Sequence, residues 1–314
     1  MYQPLRASRS TMARVRTLHY HLRHWGAGAE RGGAAPLVLL HGWMDVGASW
    51  QFVVDAFGDD FAGRRRIVAP DWRGFGRSMP PWPCDGYHFV DYLADLDQLL
   101  EQIAPGMPVD LVGHSMGGNV AMLYAGARPR RVRRLVNLEG FGLPASQPEQ
   151  APGRLARWMD ELGQCARGAT ALRDYASAEE VAARLARTNP RLSADKAAWL
   201  ARQWASEGED GRWRILGDAA HKVVSAQLYR VDEALALWAA IDAPVLSVQA
   251  DEDSLARWAA GQYSLQEYHQ RLARVRHCQN AVVQGAGHML HHDQPQQVAR
   301  LIEDFLQDKS SSNA

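Results

Sequence analysis

Charge imbalance is the first thing this chain lacks: 35 lysines and arginines stand against 35 aspartates and glutamates. A net charge of zero leaves no electrostatic footprint for nucleic acid, so no nucleic-acid partner is expected. Cysteine is scarce, with only Cys84, Cys165 and Cys278. Three scattered cysteines without metal-ligand spacing read as free thiols in a reducing compartment, and no metal is expected. Long apolar runs are missing as well. The longest are strand-sized, well below the roughly 20 residues a membrane helix needs. No acidic residue precedes Glu30, while Arg6, Arg9, Arg14, Arg16 and Arg23 crowd the start. This is the composition of a transit peptide, but it has no apolar core for secretion. Arginine so outnumbers lysine along the whole chain that the basic start reads as general composition, and a cytoplasmic location is expected. No phosphate-binding loop or dinucleotide fingerprint occurs, so no cofactor is expected either.

What is present is a strand, a tight turn and a helix around one serine. The apolar run Val109-Asp110-Leu111-Val112 leads into Gly113-His114-Ser115-Met116-Gly117, and Asn119–Ala125 behind it reads as a helix. This is the context in which G-x-S-x-G forms a nucleophile elbow, with the serine hydroxyl lifted clear of a sheet. Such a serine needs a base to take its proton and a carboxylate to orient that base. Of twelve histidines, His288 has the strongest claim. It follows Gly285-Ala286-Gly287, between a strand-like segment and a final amphipathic helix over 295–307. His291 and His292 are rivals by adjacency, but they sit closer to that helix and read as capping or solvating it.

Apolar segments bounded by turn residues mark the strands Val15–Tyr20, Leu37–Leu40, Arg66–Ala69, Val109–Val112, Arg134–Leu138, Val245–Val248 and Ala281–Val283. Helical patterns alternate with them near 49–57, 88–103, 116–127 and 255–274. Strand alternating with helix predicts an α/β fold with a mostly parallel central sheet and helices on both faces. Chemistry in such sheets gathers at the carboxyl ends of the strands. His41, Ser115, Glu139, Asp253 and His288 all fall just after one. Residues 141–242 break the rhythm and read as helices, one opened by the capping box Ser177-Ala178-Glu179-Glu180. The predicted organisation is a core of 1–140 and 243–314 with a helical cap inserted over 141–242. The insertion carries Trp158, Trp199, Trp204, Trp213 and Trp238.

Four motifs in register make a family resemblance. Leu40-His41-Gly42-Trp43, Pro70-Asp71-Trp72-Arg73-Gly74-Phe75-Gly76-Arg77-Ser78, the elbow and the Gly287-His288 loop together resemble the α/β-hydrolase fold family. Within that family the chain resembles the serine-hydrolase-like esterases with a helical cap. The resemblance runs from about residue 36 to 307 and implies a serine hydrolase acting on a carboxylic ester of a small or medium acyl substrate. Carbon–carbon bond hydrolase, thioesterase and acyltransferase are alternatives of the same fold. A ligand receptor that lost turnover is a more distant one. The amide of Met116, after the nucleophile, is one expected oxyanion donor. The resemblance makes the amide of Trp43 the other, with its indole facing the pocket, and gives His41 a structural role.

The acid is contested. Register within Gln249-Ala250-Asp251-Glu252-Asp253 selects Asp253, where most of the family keeps its acid; Asp251 would fit a loop one residue shorter. The competing acid is Glu139 in Asn137-Leu138-Glu139-Gly140, a segment that resembles some haloalkane dehalogenases. The preferred triad is Ser115, His288 and Asp253.

Overall fold

Eight strands alternate with helices to build one twisted sheet. They are β1 (Arg9–Val15), β2 (Leu18–Gly26), β3 (Leu37–Leu40), β4 (Arg66–Pro70), β5 (Val109–His114), β6 (Val132–Leu138), β10 (Val245–Ala250) and β11 (Cys278–Val283). The computed structural model describes residues 2–26 and 33–307; the segment around Glu30 lies outside them. Sheet order is β1-β2-β4-β3-β5-β6-β10-β11. Only β1–β2 and β2–β4 are antiparallel pairs, and the rest run parallel. The mostly parallel α/β sheet is therefore as predicted.

Parallel strands covered on both faces need apolar side chains on both, and the clusters follow the two-residue period. Leu37 and Leu39 pack into one cluster with Trp50, Val53, Val54 and Ile302. Val38 and Leu40 pack into another with Leu96, Leu99, Val120 and Tyr124. The first face is covered by α1 (Gln51–Ala56), α2 (Asp59–Gly63), α11 (Leu290–Asp293) and α12 (Pro295–Gln307). The second is covered by α3 (Phe89–Ile103), α4 (Met116–Ala127), α8 (Val231–Ala239), α9 (Ser254–Ala259) and α10 (Leu265–Leu272).

Between β6 and β10 the chain forms α5 (Ala151–Ala166), α6 (Ala178–Thr188) and α7 (Ala194–Trp204). It also makes a small sheet of β7 (Asp174–Tyr175), β9 (Trp213–Ile215) and β8 (Ala205–Glu207), in that order. Trp199, Trp204, Val181 and Leu200 form a cluster of their own, closed below by Val46 of the loop after β3 and Phe52 of α1. Trp238 belongs to the main core instead. Asn189 donates to Asp293 at 2.8 Å, and Arg191 pairs with Glu252 at 2.9 Å. His221 stacks between Phe75 and Tyr87, each ring 3.8 Å away. These contacts tie the inserted region to the loops above the sheet.

Two local expectations need correction. The predicted strand Val15–Tyr20 is the centre of a hairpin, turning between Val15 and Leu18 with Arg16 at φ +54°. A two-residue hairpin turn usually advertises itself with Asn-Gly or a similar pair; Arg16-Thr17 does not. The helix expected over 255–274 is split where Ala260 and Gly261 both take positive φ. Cys84, Cys165 and Cys278 are unpaired. Among the described residues no helix is long and apolar enough to cross a membrane.

Candidate active site

Ser115 sits at the junction of β5 and α4 with φ +51° and ψ −115°. A non-glycine residue there carries strain of order 1–3 kcal/mol, which the surroundings must hold. They do so through the backbone. Ser115 N–H donates to Leu138 at 2.8 Å, and its carbonyl accepts from Asn119 at 3.0 Å. A Cβ on Gly113 would lie 2.4 Å from the Gly117 carbonyl oxygen, so the turn closes only with glycine.

The His288 loop reaches the elbow. His288 Nε2 lies 3.0 Å from Ser115 Oγ, and Nδ1 lies 3.2 Å from Glu139 Oε2. The acid beside the imidazole is therefore Glu139, and the preference for Asp253 is corrected on geometry. Register explains the outcome. His114 pairs with Leu138 across β5–β6, and Leu138 pairs with Val248 across β6–β10. Ser115 and Glu139 thus leave adjacent strands at one level. Asp253 lies five residues beyond Val248, where its carboxylate accepts from Ala256 N–H at 2.8 Å as the cap of α9. Asp251 is occupied too: it accepts from Gly285 at 2.8 Å and Ala286 at 3.0 Å, holding the loop that carries His288. Those two amide bonds hold the Asp251 carboxyl below its ordinary value.

The Glu139 carboxylate is buried, and buried charge needs partners. Oε1 accepts from Ala250 N–H at 2.8 Å; Oε2 accepts from the Ser254 hydroxyl as well as facing His288. Glu139 itself has φ +56°. Asn137 holds this turn from beneath, donating to Gly140 O at 2.8 Å and accepting from Gly140 N at 3.1 Å. Sequence reasoning missed both Ser254 and Asn137. The signal for Asn137 was an amide among the apolar residues at the carboxyl end of β6, costly to bury unless both its ends are bonded.

The loop after β3 completes the front of the site. His41 is fully buried; its Nε2 accepts from Trp72 N–H at 2.9 Å, so Nδ1 carries the proton and donates to Gly42 O at 2.7 Å. Burial pushes its pKa below the ordinary value. In a trans peptide the N–H opposes the C=O. Fixing the Gly42 carbonyl toward His41 therefore turns the Trp43 N–H away from it. A Cβ on Gly42 would sit 3.3 Å from Ser115 Cβ, which places this peptide against the nucleophile. Met116 opens α4, where the first amides have no intrahelical acceptor and the helix dipole is positive. The Trp43 indole, expected to face the pocket, is 53% exposed. A cavity of about 40 Å³ beside Ser115 and His288 is walled instead by Phe141, Leu255 and Trp258, with Asn119 and Gly142.

Behind His288 lies His114, whose Nε2 donates to the His288 carbonyl at 2.7 Å. Burial, with His291 and His288 nearby, pushes its pKa well below the ordinary value, so the ring is neutral. Asp71 and Arg73 brace loops. Asp71 accepts from Gly47 at 2.8 Å and Arg77 at 3.0 Å, and Arg73 grips Asp95 through two nitrogens.

Known proteins share this fold. The alpha/beta hydrolase fold family matches residues 35–295. A serine hydrolase-like protein of Danio rerio is 27% identical over 294 residues, covering 91% of this chain and 84% of that protein. A 2-hydroxymuconate semialdehyde hydrolase of Pseudomonas sp. strain CF600 is 36% identical over 123 residues, covering 36% of this chain and 39% of that protein. Among solved structures, the thioesterase domain from the curacin biosynthetic pathway superposes with a TM-score of 0.78 at 26% identity, covering 95% of this chain and 99% of that one.

Proposed function

Because the chain belongs to the alpha/beta hydrolase fold family, we propose that it is a serine hydrolase that cleaves carboxylic esters of small acyl groups through an acyl-enzyme. One observation carries this reading: the continuous chain Ser115 Oγ to His288 Nε2 to His288 Nδ1 to Glu139 Oε2. As Oγ attacks the acyl carbon, Nε2 takes its proton and Glu139 stabilises the imidazolium. The carbonyl oxygen gains charge where the Met116 and Trp43 amides would receive it, each such donor being worth roughly 10²–10³ in rate. Collapse expels the alcohol, which takes the proton from Nε2. Water deprotonated by the same nitrogen then releases the acid.

The decisive experiment is labelling with a fluorophosphonate probe. Folded wild-type protein should be labelled and Ser115→Ala should not. Absence of labelling in folded wild type would favour a receptor without turnover and end the hydrolase reading. Product analysis with a vinylogous diketone and with a thioester of the same acyl group distinguishes carbon–carbon cleavage and thioesterase activity from ester cleavage.

Chain-length selectivity follows from the walls. A space of about 40 Å³ holds on the order of a few water-sized groups, so aryl acetates and propionates should be preferred. With one methylene in an apolar pocket worth roughly 10–200-fold, an octanoyl ester should fall at least about tenfold in kcat/KM below the acetate. Equal rates from acetyl to octanoyl would show that this cavity does not receive the acyl chain.

A further inference from the structure

Behind the triad lies a second polar cluster that ester cleavage does not use. Asp45, His114 and His291 are 6%, 2% and 0% exposed. One ring nitrogen from each histidine and one carboxylate oxygen lie within 4.8 Å of one another. Both ring nitrogens of His291 and Nδ1 of His114 have no hydrogen-bond partner among the described residues. The approach of His291 Nε2 to Asp45 Oδ2, at 3.8 Å, is too long for a hydrogen bond. Any imidazole carries at least one N–H, and a donor left buried and unpaired forfeits the hydrogen bond it made to water. An orphaned buried polar group of this kind calls for a ligand, an ion or a water.

The chemistry of the donors favours an ion. Two imidazoles and one carboxylate suit a borderline divalent transition metal. Ligand atoms about a tetrahedral zinc, each at roughly 2.0–2.1 Å, sit about 3.4 Å apart. The 3.8 Å separation is within a small contraction of that. The outer contacts are those of metal ligands as well. Asp45 is already oriented by Ser49 Oγ and by Val46 N–H, each at 2.8 Å. His114 donates its Nε2 proton to a backbone carbonyl, which leaves Nδ1 as the free lone pair. Sequence spacing hides the set, because its members come from the loop after β3, the elbow and the short helix α11.

We propose that Asp45, His114 and His291 form a binding site for a divalent transition ion of the zinc type, coupled to the triad through the His114–His288 hydrogen bond. A metal drawn onto His114 shifts the ring that holds the His288 carbonyl, and so misplaces the imidazole that faces Ser115. Metal binding stands apart from the ester reading; only the inhibition rests on it.

The test titrates metal-stripped protein with Co²⁺, read by visible absorption, and with Zn²⁺, read by calorimetry. One equivalent should bind, with the intense visible band of a low-coordinate cobalt site. His291→Phe should remove the site, with His291→Gln as a second variant should the first fail to fold. Asp45→Asn should weaken it by at least about tenfold. His288→Ala should retain it. No stoichiometric binding, or binding unchanged in both His291 variants, overturns the site. Loss in His288→Ala overturns it too, by placing the ion on the triad. For the coupling, Zn²⁺ should lower kcat for an aryl ester reversibly, within the roughly 5–150-fold range of linked sites. The ratio of rates with and without Zn²⁺ should return to one in His291→Gln. Binding without any change in kcat would overturn the coupling.

Discussion

Glu139→Gln is expected to lower kcat for an aryl ester by about 10³–10⁴-fold, the scale on which a triad fails when its carboxylate becomes an amide. Asp253→Asn should stay within about twofold, because asparagine caps a helix as well as aspartate does. The reason for the first loss lies in donor counting. Glu139 accepts from Ala250 N–H, from the Ser254 hydroxyl and from His288 Nδ1, a set only an acceptor with two free oxygens can satisfy. A carboxamide turns one of those oxygens into a donor. If the NH₂ faces His288, Nδ1 becomes the acceptor and Nε2 carries the proton, so Nε2 cannot take one from Ser115. If instead the NH₂ faces Ala250, two donors oppose each other in a buried place, at about 1–3 kcal/mol. Single-turnover kinetics on variants shown folded by circular dichroism check this. A collapse in Asp253→Asn with near-normal turnover in Glu139→Gln would return the acid to Asp253.

The same carboxylates show what the chain makes legible and what it conceals. The elbow could be read because its signal is local: glycines, serine and helix lie within a few residues, and the sterics that select them act at that range. His288 could be read because two glycines precede it and an amphipathic helix follows. The sheet could be read from apolar segments of the right length, since strands covered on both faces must be apolar throughout. Choosing among Glu139, Asp251 and Asp253 needed something else. All three follow a strand, and the choice depends on β6 lying beside β5 while β10 lies one strand further out. It also depends on what each carboxylate already binds, which is helix α9 for Asp253 and the His288 loop for Asp251. Those are long-range facts. Ser254 was hidden for the same reason, being a polar residue whose partner is set by the fold. The Trp43 indole misled because a motif fixes the loop's backbone more firmly than its side-chain direction.

Gly117→Ala should have a large effect on stability for a single added methyl. A Cβ there would lie 2.3 Å from the Leu40 carbonyl oxygen and 2.7 Å from that of His41. Both contacts are with backbone, so no side-chain rotation relieves them. Either α4 lifts from the sheet or the end of β3 moves, and overpacking of this kind costs typically 1–3 kcal/mol, occasionally more. With roughly 2–4 °C lost per kcal/mol in domains of a couple of hundred residues, Tm should fall by several degrees. The displaced atoms belong to the segment that presents Gly42 and Trp43, so ester turnover should fall even in the fraction that stays folded. Gly153→Ala is the control. It lies in helix α5 with nothing within 4 Å of a new Cβ, and removing a helical glycine should stabilise by about 0.5–1 kcal/mol. Thermal melts and fluorophosphonate labelling of both variants provide the comparison. A Gly117→Ala protein that melts with the wild type and labels at the same rate would mean the elbow does not press on β3, and that the oxyanion loop is positioned by His41 alone.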